Sequence, residues 1–476
     1  MTTGLASVMT ARLRRPARPA GWPAFAPVLL GALVMVIWIA FVRPLAHFDI
    51  DVFLRAGAAV DAGRDPYPSP GSPAVYSGFA FVYPYLVAIP FVPLAWLPRA
   101  GAEGLFIGLS VLAVLAGCRL AGARRWQAYA LVLVASCTIT GLQMGTLNAL
   151  MFAGLAALWR LRDRPLAAGL LAALLVYSKL FLAPLPLWLL LTGRRRATAA
   201  TAGALAVLFG VGQAMSPVGL TTYSGMLDAL ARAEAPDGLS LTGLLMNAGL
   251  GLGAATWVAR ALAAALLAGA WLAVRRRRPT PPAALSAGAR DAGEDRLLFT
   301  ATVAVALLAS PIVWSHYLLL LAVPLLVVEG GERTGALAVA TAVSWLLVTP
   351  HLSTPPEIAV SGLVVTLLVA APLRDAVRRQ LGRHRSARAP GRGAVGLARE
   401  LAPWAAGVAA IAGAGLELCW ALARAHHGRD AVTGAYLATV AVLALLGWGV
   451  HRTLPSRAHS LPSTHRGSSR PAGQVT

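Results

Sequence analysis

The polar side chains that could do chemistry are few, and they stand at the ends of long apolar stretches. Asp49 and Asp51 follow the first apolar run, and Arg55 lies one helical turn after Asp51. A positioned carboxylate can take a proton from a hydroxyl group during a group transfer. Apolar residues at helical spacing also predict a surface helix over 51–62, with Asp49 at its N-cap, where a carboxylate accepts from unpaired backbone N–H groups. The sequence leaves both roles open for Asp49.

Lys179 is the only lysine of the chain, and it interrupts the strongly apolar run 166–192. A charge in such a run costs free energy unless it is paired, reaches the membrane surface or has a function. An ammonium group acts as a point charge that suits a phosphate. We therefore expect a functional cation at position 179, where the run is either one long tilted helix or two short helices that meet.

Three further breaks between apolar runs carry polar or aromatic side chains. Gln143 and Asn148 can hydrogen-bond the hydroxyl groups of a sugar, or they can satisfy backbone groups at the break. Trp314 and His316 offer a stacking surface and a titratable hydrogen-bond donor. Tyr83 opens another apolar segment, where an aromatic side chain also fits a membrane interface. Functional and structural interpretations both remain open for these side chains.

The composition identifies the elements that must position these residues. Of 476 residues, 57% are hydrophobic and 13% are charged, and the mean hydropathy is +0.67. Soluble domains carry about 25% charged residues. The composition therefore excludes a soluble cytosolic enzyme, a disordered chain and a secreted disulfide scaffold, and it predicts an all-α polytopic membrane protein. The net charge of +22 comes from short arginine clusters between apolar runs, which is typical of loops at an anionic membrane face and argues against nucleic-acid binding.

The apolar runs predict about 11 to 14 transmembrane helices. Composition shifts along the chain divide it into five regions. We expect a cytoplasmic Arg-rich N-terminus, a multi-pass catalytic body, an Arg/Gly-rich linker, a C-terminal pair of membrane helices and a disordered tail, at 1–25, 26–379, 380–400, 401–453 and 454–476 respectively.

The arginine clusters test the order of the helices across the membrane. The cluster Arg194–Arg196 falls inside if the later helices alternate. If 79–97 and 103–120 are both ordinary spans, however, Arg124–Arg125 and the cluster 160–164 land outside. Either the proline-rich segment 79–97 is re-entrant or these basic residues serve the outer face, and the sequence leaves both alternatives open.

The ordered set of landmarks resembles glycosyltransferase family 87, over about residues 30–375 of the chain. The motifs that carry this resemblance are Asp49-x-x-Val52-Phe53, Gly63-x-Asp65-Pro66-Tyr67, Tyr83-Pro84, Gly141-x-Gln143-x-Gly145-x-x-Asn148, Lys179 and Ser310-Pro311-x-x-Trp314-x-His316. The resemblance implies a GT-C-type fold in the plasma (inner) membrane, with the active site on the extracytoplasmic face. It also implies a polyprenyl-phosphate sugar as donor.

The resemblance further implies roles for individual residues. Asp49 matches the family's general base, His316 its outer-face histidine that orients a substrate, and Lys179 its intramembrane lysine, which would hold the donor phosphate. No obligatory metal ion or other cofactor is expected, because the sequence shows no second clustered pair of carboxylates. The remaining expected substrate contacts are Gln143, Asn148, Asp51, Arg55, Tyr83 and Trp314.

The predicted activity is an inverting transfer of a sugar from the polyprenyl-phosphate donor. Mannose is the expected sugar. The expected acceptor is a lipid-linked or cell-envelope glycan, and the other partners are membrane lipids. An arabinofuranosyltransferase of the same family is the main alternative. A transporter or lipid flippase is a further alternative, which would predict paired intramembrane charges and two matching halves of the chain.

Overall fold

The computed structural model describes residues 48–69, 71–76, 80–276, 287–330, 333–348 and 430–453, together with short helical pieces between 365 and 410. The predicted N-terminal region, the first span, the linker and the tail lie outside the described residues. Within the described residues all regular structure is helical. The predicted all-α class is therefore confirmed.

The helices are numbered here in chain order. The α-helices are α1 (Phe48–Asp61), α2 (Val92–Ala95), α3 (Arg99–Leu120), α4 (Trp126–Val134), α5 (Ser136–Met144), α6 (Asn148–Leu161), α7 (Pro165–Ser178), α8 (Leu185–Leu191), α9 (Arg195–Met215), α10 (Leu220–Glu234), α11 (Leu241–Asn247), α12 (Leu252–Arg275), α13 (Ala287–Ala309), α14 (Ala322–Glu329), α15 (Gly335–Val348) and α16 (Asp430–Thr453). Short 3₁₀ segments cover Pro73–Tyr76, Tyr85–Val87, Ile89–Phe91, Leu180–Leu182, Ala235–Asp237 and Ser315–Leu321.

Three of the described helices, α3, α9 and α12, are long and apolar enough to cross a membrane. The pair α4 and α5 adds a fourth candidate span, bent by 60° at Ala135. Several further apolar helical segments among the described residues, of 10–17 residues each, are shorter than a full span. The total of 11 to 14 spans stays a prediction.

Helix α1 is the predicted surface helix, but it begins three residues earlier than the sequence pattern indicated. Asp49 accordingly lies in the first turn and not at the N-cap, which corrects that interpretation. The buried face of α1 packs closely on the chain near Phe91. A Cβ atom added to Gly57 would lie 2.7 Å from the carbonyl carbon of Phe91, so this packing requires glycine.

The proline-rich segment 79–97 is not an ordinary span. Its helical structure covers only Tyr85–Ala95, in 3₁₀ pieces and one short helix, whereas a span needs about 20 residues. Its prolines remove backbone donors that a continuous helix would need. This outcome favours the re-entrant alternative.

The run 166–192 forms two short helices that make a hairpin. Lys179 is extended (φ −143°, ψ 107°) and separates α7 from the returning segment that contains α8. Helices α7 and α9 run parallel, since Gly169 meets Ala200 near the start of both helices and Tyr177 meets Gly212 near their ends. Their close approach depends on the two glycines.

An ion cluster joins the far end of this hairpin to α13. The Asp295 carboxylate accepts from Arg162 Nε at 2.7 Å, from Arg194 Nη2 at 2.8 Å and from Trp188 Nε1 at 3.2 Å. Arg194 also pairs with Asp163 at 2.8 Å. The ends of α6 and α8 and the starts of α7 and α9 therefore meet at Asp295, which we call the Asp295 end of the molecule.

The ion cluster removes the conflict between the arginine clusters. Because Arg162 and Arg194 share one carboxylate, the clusters 160–164 and 194–196 lie on the same side. Two apolar segments, 126–144 and α6, separate Arg125 from Arg162. If each crosses the membrane once, Arg125 lies on that side too.

Candidate functional site

A cavity of about 1050 Å³ lies at the opposite end of α13 from Asp295. Ala309 lines the cavity and lies 14 residues after Asp295, which is about 21 Å along the helix. The cavity brings together residues that are far apart in the sequence. Those of its lining residues that the sequence analysis had selected are Asp49, Tyr83, Lys179, Trp314 and His316.

Asp49 is positioned by the end of α5. Gly145 terminates that helix with φ +68°, a conformation that suits glycine, and a Cβ atom there would lie 2.7 Å from Ile50 Cβ. The end of α5 therefore packs directly on the residue after Asp49. Burial raises the pKa of the Asp49 carboxyl to about 6, and the nearby charge of Lys179 opposes this shift.

Lys179 is buried beside Asp49 in an aromatic setting. Its Nζ atom lies 3.7 Å from the ring centroid of Tyr317 and 5.7 Å from that of Tyr83. The Tyr317 ring in turn stacks on Phe181 at 5.2 Å between centroids. Within the described residues no hydrogen-bond partner reaches Nζ. The ammonium group thus depends on the rings and on the Asp49 charge for stabilisation.

His316 is buried in the 3₁₀ segment Ser315–Leu321, and the chain just before this segment is held in place by hydrogen bonds. Leu239 N donates to Val313 O at 2.6 Å, and Ser240 Oγ donates to Pro311 O at 2.7 Å. The His316 side chain is 2% exposed, and its Nδ1 atom finds no partner in the described part of the chain. An unpartnered buried ring nitrogen is unusual and marks His316 as a candidate functional side chain.

Glu234, at the end of α10, is a cavity residue that the sequence analysis missed. Burial first, and then the charges of Asp49 and Asp237, raise its pKa to about 7. Two carboxylates that are far apart in the sequence therefore line the same cavity. Glu234 lies on the same face of α10 as Leu227 and Leu230, which also line the cavity, but the sequence alone does not show that this face lies near Asp49.

Asp51 and Arg55 lie outside this cavity. They line a separate surface depression of about 450 Å³, where the Asp51 carboxylate pairs with Arg99. Arg55 Nε donates to the backbone oxygen of Asp51 at 3.3 Å. The cause is helical geometry, since side chains two residues apart point about 200° apart around a helix. Only Asp49 of the two neighbouring carboxylates can face the cavity.

Gln143 and Asn148 also stand apart from the described lining of the cavity. Asn148 is fully buried, and its Nδ2 atom donates to Thr146 Oγ1 at 3.2 Å. Gln143 is partly buried near the end of α5. Their role as substrate contacts stays a prediction.

The geometry suits a reaction that removes a proton inside a partly enclosed space. One carboxylate with a raised pKa faces a second carboxylate, a buried cation and an unpartnered imidazole nitrogen. Among the described residues no group of three or more His, Cys, Asp or Glu side chains could hold a metal ion. These side chains can bind hydroxyl groups and stabilise a leaving anion.

Comparison with known proteins gives one match. A family model described as glycosyltransferase family 87 matches residues 81–311. This range contains Lys179, whereas Asp49 and His316 lie outside it. No curated protein and no solved structure matches the chain. The resemblance inferred from the ordered motifs is confirmed.

Proposed function

Because the model of glycosyltransferase family 87 matches residues 81–311, we propose that the chain is a membrane glycosyltransferase that moves a sugar from a polyprenyl-phosphate donor to a lipid-linked or cell-envelope glycan. The proposal assigns the general base to Asp49. The observation that carries it is the position of Asp49, which lines the large cavity beside Lys179 while Asp51 is paired with Arg99 elsewhere.

The proposed reaction is a single inverting displacement. Asp49 takes the proton of the acceptor hydroxyl group. At the same time the oxygen of that hydroxyl group forms a bond to the anomeric carbon of the donor sugar. The bond between that carbon and the phosphate oxygen breaks, and the phosphate leaves with the electron pair. The transition state resembles an oxocarbenium ion, as in glycoside hydrolysis. The leaving phosphate needs a cation more than an acid, and Lys179 supplies positive charge near the site.

The second carboxylate and the imidazole suit the recognition of sugar hydroxyl groups. Glu234 can accept hydrogen bonds from a pair of neighbouring hydroxyls, and His316 Nδ1 is unpartnered in the described part of the chain. We assign these two residues to the binding of donor or acceptor sugar. Tyr83 and Trp314 add aromatic faces to the same cavity, which suit the apolar faces of sugar rings.

The distribution of arginine supports an active site on the extracytoplasmic face of the plasma membrane. The clusters around Arg162 and Arg194 lie at the Asp295 end, about 21 Å along α13 from the cavity. Basic loops concentrate on the cytoplasmic side of membrane proteins. The Asp295 end is then cytoplasmic, and the cavity opens on the other face.

The test is a comparison of two carboxylates in one helix. Membranes with the wild-type protein, Asp49→Asn or Asp51→Asn are incubated with radiolabelled polyprenyl-phosphate mannose, and the labelled product is identified. We expect Asp49→Asn to lose transfer by at least about a hundredfold, because general-base catalysis typically contributes that much. Asp51→Asn keeps most activity. Near-normal transfer by Asp49→Asn would contradict the assignment.

The same assay separates the alternatives. An arabinofuranosyl donor replaces the mannosyl donor in a parallel incubation, and preferential labelling from it would identify the arabinofuranosyltransferase. Released polyprenyl phosphate is measured in every sample. A transporter or flippase would move the lipid without releasing its phosphate from the sugar.

A further inference from the structure

One face of α12 forms a wall of the cavity over about 22 Å, the length of its stretch from Leu252 to Leu267. The residues that line the cavity recur every three or four positions, as expected for one helix face. They are Leu252, Gly253, Thr256, Trp257, Arg260, Ala263, Ala264 and Leu267. Helix α12 is also one of the helices apolar enough to cross a membrane.

Arg260 is an unusual residue at this position. It lies in the interior of a helix that is apolar enough to cross a membrane, its side chain is exposed, and its guanidinium carbon is 6.0 Å from the ring centroid of Trp257. Among the described residues no carboxylate pairs with it. An arginine inside a span costs free energy, so a position on a cavity wall is a sign of function.

The side chains along this wall change from polar and aromatic to apolar at Arg260. Toward the start of α12 the wall carries the hydroxyl of Thr256 and the indole of Trp257. Beyond Arg260 it carries only Ala263, Ala264 and Leu267. A lipid-linked sugar has the same order, with a polar sugar, then a phosphate, then an apolar chain. Arg260 stands where the phosphate of such a molecule would lie.

Lys179 is less accessible than Arg260 to an anion in the cavity. The Nζ atom of Lys179 is buried against the ring of Tyr317, whereas the side chain of Arg260 is exposed. Of the described residues that line the cavity, these two carry the lysine and arginine charges. The planar guanidinium group also suits bidentate hydrogen bonding to a phosphate.

We propose that Arg260 binds the phosphate group of a lipid-linked substrate, whose chain extends along Ala263, Ala264 and Leu267. Trp257 then contacts the sugar side of the phosphate. The assignment of that lipid as the sugar donor rests on the proposed function, whereas the phosphate site itself does not. Arg260 holds the anion directly, while Lys179 adds positive charge nearby and lowers the pKa of Asp49.

The first experiment measures binding without turnover. Purified protein in detergent micelles is titrated with undecaprenyl phosphate and with undecaprenol, which lacks the charge. We expect the wild-type protein to prefer the phosphate, and Arg260→Gln to lose about tenfold of that preference, the usual effect of one charge-assisted hydrogen bond. Arg260→Lys restores part of it, which distinguishes a lost charge from a damaged fold.

Arg275→Gln is the matched control. Arg275 lies on the same helix, its guanidinium carbon is 4.1 Å from the ring centroid of Trp271, and it is not part of the described cavity lining. The phosphate preference of Arg275→Gln should equal that of the wild type. An unchanged preference in Arg260→Gln, or an equal loss in both variants, would overturn the proposal.

The second experiment identifies the lipid. In the transfer assay, donor and acceptor concentrations are varied separately for the wild type and Arg260→Gln. A rise in KM confined to the donor assigns Arg260 to the donor phosphate, and a rise confined to a phosphate-bearing acceptor assigns it to that lipid. No rise for either lipid would contradict the site. If the wild type binds undecaprenyl phosphate through Arg260 but transfers no sugar from any lipid phosphate, the proposed function fails and the phosphate site stands.

Discussion

Two features of its surroundings shift the pKa of the Asp49 carboxyl in opposite directions. Burial raises the pKa of its carboxyl to about 6, and the charge of Lys179 limits that rise. A general base must be ionised to accept a proton, so the free enzyme is active above this pKa and inactive below it. We therefore expect kcat/KM for sugar transfer to fall as the pH decreases through about 6. The measurement is the pH profile of kcat/KM, and a flat profile across this region would contradict the role of Asp49.

Lys179 provides the control for that profile. Because its charge lowers the pKa of Asp49, Lys179→Met should raise that pKa and move the acidic limb of the profile to higher pH. Lys179→Arg keeps the charge and should keep the limb near its wild-type position. A limb that stays in place in Lys179→Met would show that the two residues do not interact during catalysis.

The residues of the site could be predicted from the sequence only in part. Asp49, Lys179 and His316 are rare polar side chains at breaks in an apolar chain, and their rarity was a sufficient signal. To tell that Asp49 faces the cavity and Asp51 does not, one must know where α1 begins. The sequence pattern placed that start three residues too late, with Asp49 at the N-cap. Glu234 lies far along the chain from Asp49, and a single sequence contains no signal for their proximity.

At the scale of secondary structure, the contact between the end of α5 and the first turn of α1 positions Asp49 at the cavity. Alanine at Gly145 must adopt φ +68° and must also place Cβ 2.7 Å from Ile50 Cβ. We expect Gly145→Ala to lower the unfolding temperature and to reduce transfer by displacing the first turn of α1. Gly122→Ala is the control, because Gly122 has φ +97° with open space around it, and it costs only about 1 kcal/mol of backbone strain.

The comparison isolates packing from backbone strain. Thermal unfolding and kcat are measured for both glycine variants in the same detergent. Equal losses of stability with unchanged transfer in both variants would show that the contact with Ile50 does not position Asp49.

The sequence could not choose between one helix and two in the run 166–192. An uninterrupted apolar stretch has the same pattern in a long tilted helix and in a buried hairpin, since no polar face defines the direction of return. The structure resolves this through contacts distant in sequence. Gly169 and Gly212 allow α7 and α9 to run side by side, and Asp295 holds both ends of the hairpin together.

At the scale of the whole molecule, the hairpin and the short segment 79–97 decide which loops share a side. Counting apolar runs as spans placed the cluster 160–164 opposite Arg194, whereas the shared carboxylate of Asp295 places them together. The charge pattern of the sequence had signalled this conflict. The composition predicted a polytopic membrane protein, and only three-dimensional contacts between helices could correct the order of its loops.

This arrangement predicts which positions are accessible from each side of the membrane. We expect a membrane-impermeant thiol reagent on intact cells to label Arg64→Cys, which follows α1, and to label Arg124→Cys and Arg164→Cys only after permeabilisation. The three positions are exposed. The native Cys118 and Cys137 are buried and should not react, and the background also carries Cys419→Ser. Labelling of Arg164→Cys in intact cells together with Arg64→Cys would place the Asp295 end and α1 on one face, and the positive-inside argument for an extracytoplasmic cavity would then be wrong.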